Sequence, residues 1–266
     1  MSLDMLNIDS LNLSILGPAL LAGLLVLATH VPLGQQVLKR GIVFIDLAVA
    51  QIAALGVIAA DAMGWEPQGL RVQVAAIVAA MLGALILTWT EKRWPEVQEA
   101  LIGAIFVLAA SAGILLLANN PHGGEHLKDL LAGQILWVSM SQLIPTACVT
   151  MLILGLWFGL KDKLGRAGFY MLFALAVTAS VQLVGVYLVF SSLIMPAIAV
   201  RTWPQSKKLL GGYLIGTVAY ILGLALSALF DLPSGAVIVW CLAATGILSN
   251  LLIATTKFKH RFYQQQ

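Results

Sequence analysis

Few residues in this sequence have both the type and the setting to do chemistry. Asp46 is the one acidic residue placed deep within a long apolar run, in the stretch Val43–Asp46–Gln51–Gly56. Holding a carboxylate in hydrocarbon costs about 3 kcal/mol on insertion scales, so an acid kept there points to a cation pausing beside it. The plainer alternative is an acid near the cytoplasmic end of its helix, solvated by water or by Lys39 and Arg40. Gln51, a neutral oxygen donor, lies five residues on, roughly 140° round a helix, so the two do not share one face. A two-fold axis would still let them meet.

The segment Asn119–Asp129, NNPHGGEHLKD, holds two of the four histidines. His122, Glu125 and His126 make a loose metal-ligand set, since imidazole and carboxylate suit borderline divalent ions. The alternative is a solvated Gly-Gly turn with incidental polar residues. His30 sits near the end of an apolar run and reads as a hydrogen-bonded interfacial residue; His260 belongs to a basic tail. Cys148 and Cys241 both lie inside apolar runs and read as packing residues rather than a disulfide. There is no GxxxxGK[ST] phosphate loop, so nucleotide hydrolysis is expected on other chains, and there is no HExxH or GxSxG. Nothing points to an enzyme.

These residues must be positioned by helices in a membrane. The chain is 60% hydrophobic and 10% charged over 266 residues, with a mean hydropathy of +0.95. A soluble domain carries roughly 25% charged residues, because its surface must face water. Apolar runs near the spanning length of about 20 residues recur throughout. They fall at about 13–32, 42–63, 70–90, 99–118, 135–159, 167–184, 186–200, 209–230 and 234–254. No stretch is polar enough for a soluble domain, so one membrane domain is expected over 1–266. The fold class is all-α, a polytopic membrane helix bundle. The first twelve residues lack Lys and Arg, so the first run is expected to remain as a helix rather than be cleaved as a signal.

Helix number is decided by charge. With nine helices and the N-terminus outside, Lys39, Arg40, Lys92, Arg93, Lys161, Lys163, Arg166, Arg201, Lys207, Lys208, Lys257, Lys259 and Arg261 all face the cytoplasm. That is 13 of the 15 basic residues, leaving Arg71 and Lys128 outside. Merging 167–200 into one span gives eight helices and splits the basic residues 7 to 8. The positive-inside rule favours nine. The 186–200 element is short and contains Pro196, so it is expected to be irregular or tilted and packed against protein. The net charge of +3 then reflects loop anchoring rather than nucleic-acid binding.

Three segments in order carry a family resemblance: FIDLAVAQIAALG at 44–56, EALIGAIFVLAASAGILLLANNPHGGEHLKDLLAG at 99–133, and VGVYLVFSSLIMPAIAV at 184–200. Together they resemble the permease subunits of bacterial metal-ion ABC importers, the zinc and manganese uptake family with a type II importer-like fold. SALFDLPSGAVI at 227–238 is also similar to the related vitamin B12 and siderophore permeases. The resemblance covers about residues 13–254. It implies a homodimer in the bacterial inner membrane, with lipid around it and a central passage. It also implies two cytoplasmic ATPase subunits and a periplasmic metal-binding protein. A cytoplasmic loop is expected to dock on the ATPase, and Lys161, Asp162, Lys163, Leu164, Gly165 and Arg166 are placed there through a short helix. No resident cofactor is expected; the ion, zinc first and manganese or iron next, is cargo.

The sequence departs from the family in two respects. The segment between the fifth and sixth helices is short, so an abbreviated ATPase contact is expected. The other departure is in the intramembrane ligand pattern. Members carry an intramembrane Asp followed four residues later by His. A gapless match sets Leu47 at the acid and Gln51 at the histidine; matching Asp46 to the acid leaves Ala50 at the histidine. A Gln carbonyl is a weaker zinc ligand than imidazole, so looser coordination or a chelate cargo is implied. A stand-alone secondary carrier would need a chain of buried ionisable residues, and Asp46 alone answers to that.

Overall fold

The structure is a computed structural model, and it describes residues 13–65, 69–117, 131, 133–160 and 163–263, with side chains through 252. Among these residues there are nine α-helices and no strand. They are α1 (Leu13–Arg40), α2 (Ile45–Ala62), α3 (Leu70–Arg93), α4 (Gln98–Leu117), α5 (Met140–Leu160), α6 (Gly165–Val184), α7 (Val186–Ala199), α8 (Gln205–Phe230) and α9 (Ser234–Tyr263). Short 3-10 turns at Pro95–Val97 and Ile135–Trp137 precede α4 and α5. Eight of the nine helices are long and apolar enough to cross a membrane.

The outer faces agree with a lipid surround. Leu115 is 75% exposed, Met151 75% and Trp240 78%. At about 25 cal/mol per Å² of apolar surface, facing such side chains to water would be costly; hydrocarbon removes that cost. The interior is built from close backbone approaches instead of bulk. On α1, a Cβ at Gly34 would strike the Leu193 carbonyl of α7, and one at Gly23 would strike the Tyr220 ring of α8. Small residues at such crossings are how helices gain packing where no hydrophobic force separates protein from lipid.

Two elements differ from the sequence expectation. Apolar patterning ends the first helix near residue 32, yet α1 continues through Pro32 to Arg40. Pro32 cannot donate to the Ala28 carbonyl four residues back, which ordinarily interrupts a helix. Here the Tyr213 hydroxyl of α8 donates to that carbonyl at 2.9 Å. A neighbouring helix re-satisfies the freed group, as it must inside a bilayer. The fifth run also starts later, at Met140, because its first residues form the 3-10 turn.

The 186–200 element behaves as expected. α7 has 14 residues, about 21 Å of helix against a hydrocarbon core of about 30 Å. It is buried along most of its length and packs on α1 and α9. Gly185, at φ +78°, makes the one-residue break from α6. Positive φ is open to glycine at no steric cost.

Around this scaffold, α2 packs on α3 and α4 and also touches α6, which lies against α3 and α5. Enclosure of α2 on several sides is what places its polar residues indoors.

Candidate functional site

Asp46 sits in the first turn of α2, following the bend that ends α1 at Lys39 and Arg40. It is fully buried, and neither carboxylate oxygen has a hydrogen-bond partner. Its place is in the first turn of the helix, not halfway along. A helix N-terminus favours negative charge there through its free N–H groups and dipole. Buried carboxylates are normally paired, so two orphaned oxygens leave this group ready for a cation or a proton.

Gln51 is also buried, at 7% exposure. The two residues face different ways round α2, and both are covered because neighbours enclose the helix on more than one side. Among the described residues no three His, Cys, Asp or Glu side chains converge into a metal-holding group. His122, Glu125 and His126 lie outside the described residues, as do Lys161 and Asp162.

Lys163, Gly165 and Arg166 are exposed and Leu164 is half-buried. α5 ends at Leu160 and α6 begins at Gly165. Backbone bonds from Lys163 and Leu164 to the Leu160 carbonyl fold the described part into a tight turn.

His30 was not given weight by its sequence position, and the structure moves it. Because α1 runs on to Arg40, His30 is interior rather than terminal, and it is fully buried. Its Nδ1 lies 2.9 Å from the Val26 carbonyl and 3.0 Å from the Thr29 hydroxyl. A carbonyl only accepts, so Nδ1 carries the proton in the neutral ring and Nε2 presents its lone pair. Nε2 has no partner. The signal in sequence was a histidine in an apolar run; the premature helix end at Pro32 concealed it.

A second group of polar side chains gathers at the same end as Asp46. The Glu99 Oε1 of α4 accepts from the Phe44 backbone N–H at 3.2 Å, two residues before Asp46. Gln98 Nε2 donates to the Leu87 carbonyl of α3 at 3.1 Å and to the Tyr170 hydroxyl of α6 at 3.4 Å. The Arg40 guanidinium lies 4.1 Å from the Phe169 ring centre.

An apolar helical bundle with eight described helices of membrane-crossing length defines a multi-pass membrane protein. The chain belongs to the ABC 3 transport family, whose model matches residues 12–165 and 157–253. It is 26% identical to the "High-affinity zinc uptake system membrane protein ZnuB" of Haemophilus influenzae, over 88% of this chain and 96% of that protein. It is 24% identical to the "Manganese transport system membrane protein MntC" of Halalkalibacterium halodurans, over 95% of this chain and 88% of that one. Its fold is similar to the solved structure of "PsaBC from Streptococcus pneumoniae in complex with Fab", with TM-score 0.72, 22% identity, and 88% and 90% of the two chains covered. This is the family that the three sequence segments indicated.

Proposed function

We propose that the protein is the membrane-spanning permease subunit of an ATP-driven divalent-metal uptake transporter, with zinc as first cargo and manganese or iron next. A periplasmic binding protein delivers the ion, two copies of the chain enclose the passage, and separate cytoplasmic ATPase subunits drive alternating access. The bacterial inner membrane is the setting. The relatives named for zinc and manganese transport support the cargo class, and membership of the family supports ATPase partners.

The observation that carries the role of this chain is the pair of unpartnered carboxylate oxygens on fully buried Asp46. A divalent ion arriving there meets a concentrated negative charge with little water to compete. Gln51 adds a neutral oxygen from another face of α2, and the Lys163–Arg166 turn is the proposed ATPase contact. In vesicles reconstituted with ATPase and binding protein, Asp46→Asn is expected to reduce metal uptake to background while subunit assembly persists. Uptake at the unsubstituted rate in that variant would refute the role.

A second cargo, a metal chelate, is favoured by one observation: neither match to the family pattern supplies a histidine, leaving Gln51 or Ala50 there. A chelate brings its own ligands and needs fewer from the protein. Competition between free and chelated ion for uptake separates the two.

A further inference from the structure

We propose that His30 is an ion-binding residue, whose Nε2 takes a divalent cation of the zinc class inside the bundle, at a stop separate from Asp46. The inference deepens the transport reading above, on which its purpose rests.

The ring is already held as a ligand would be. Its Nδ1 donates to the Val26 carbonyl at 2.9 Å, with the Thr29 hydroxyl at 3.0 Å, and this fixes the free lone pair on Nε2. Metal-bound histidines tie their other ring nitrogen in the same manner, which orients the ring and raises its basicity. His30 is fully buried, and Nε2 has no partner. A histidine kept only for packing would leave that lone pair desolvated with nothing in return.

A second orphan lies at the same depth. Thr178 Oγ1 on α6 is buried without a partner, and α1 and α6 touch. The Arg40 guanidinium over the Phe169 ring pins the last residue of α1 beside the start of α6. Counted from that pin, His30 is about 15 Å along α1 and Thr178 about 14 Å along α6. Two unmet acceptor groups therefore sit level on neighbouring helices. Asp46, in the first turn of α2, follows the bend at Arg40, so the imidazole lies further into the bundle. A neutral imidazole with a hydroxyl suits a borderline ion that keeps part of its water, and such a site is weak enough to release a cargo.

Zinc is the probe. A His122→Ala, His126→Ala, His260→Ala parent leaves His30 as the one imidazole of the four in the chain. The full-length parent in lipid nanodiscs is loaded with zinc and read by X-ray absorption at the zinc edge, where a bound imidazole gives outer-shell scattering. That scattering is expected in the parent, and Asp46→Asn is expected to leave it in place. In the Asp46→Asn background, His30→Gln is expected to abolish it. Zinc binding there should weaken by at least the roughly 10–100-fold that follows loss of a group orienting a metal-bound histidine. Should His30→Gln not accumulate in membranes, Thr29→Val, which loosens the ring, carries an expectation of about tenfold weaker binding. Zinc held by oxygen ligands alone in the parent, as when Nε2 carries only a water, would overturn the proposal. So would loss of the imidazole scattering with Asp46→Asn, or binding unchanged by His30→Gln. The assay reads binding and not uptake, so its failure would leave the role of Asp46 standing. Absent uptake with imidazole scattering intact would instead sink the transport reading alone.

Discussion

The buried polar groups of this bundle divide into two regions with opposite habits. Along the α1–α7–α8 seam several are satisfied, although Gln35 Nε2 is not. The Ser192 hydroxyl lies 2.7 Å from the Leu188 carbonyl and 2.8 Å from the Tyr220 hydroxyl, and Tyr213 reaches the Ala28 carbonyl that Pro32 releases. At the ends of α1 and α3 and the starts of α2 and α4, Arg40, Asp46, Glu91, Gln98 and Glu99 each keep at least one buried atom without a partner. In a medium with no water to compensate, the first pattern holds helices together. The second leaves bonding capacity that a cation, a proton or water could take up. His30 stands between them, with Nδ1 held and Nε2 left over.

The sharpest way to break this comparison is to overfill the seam. Gly34→Leu drives a side chain into the Leu193 backbone, and overpacking of this kind costs about 1–3 kcal/mol or more. A large fall in the melting temperature of detergent-purified protein is expected; an unchanged melt would show the seam to be loose. The next effect has the opposite sign. Asp46→Leu removes an orphaned buried carboxyl, and replacing unpaired buried polar groups by apolar ones stabilises by about 1–2 kcal/mol when the shape is accommodated. Its melt is expected to rise while uptake is lost. A fall would mean that Asp46 is a structural residue like Ser192. The smallest effect belongs to Tyr213→Phe, a loss of about 1 kcal/mol from one hydrogen bond, read in the same melt with transport retained.

Much of this arrangement was accessible from local pattern. Helix positions followed from apolar runs near the spanning length, and the separation of α6 from α7 followed from where Lys and Arg fall. Gly185 between two apolar runs marked the break itself. Asp46 was identifiable because an acid among aliphatic residues needs a reason. Its depth was not, since helix ends depend on what satisfies the first free N–H groups. Local pattern also misjudged α1: a proline ends a helix unless another chain segment answers the carbonyl it frees, and Tyr213 is 181 positions away from Pro32 in the numbering.

Composition by itself determined that this is a multi-pass membrane bundle, because hydrocarbon imposes length and polarity on every span independently. Tertiary structure alone decided which polar groups are paired. Hydrogen bonds between Gln98 and Tyr170, or Tyr213 and Ala28, join helices distant in sequence, and no periodicity within one helix encodes them. The orphaned oxygens of Asp46 are likewise a property of its neighbours, visible once α3, α4 and α6 have closed around α2.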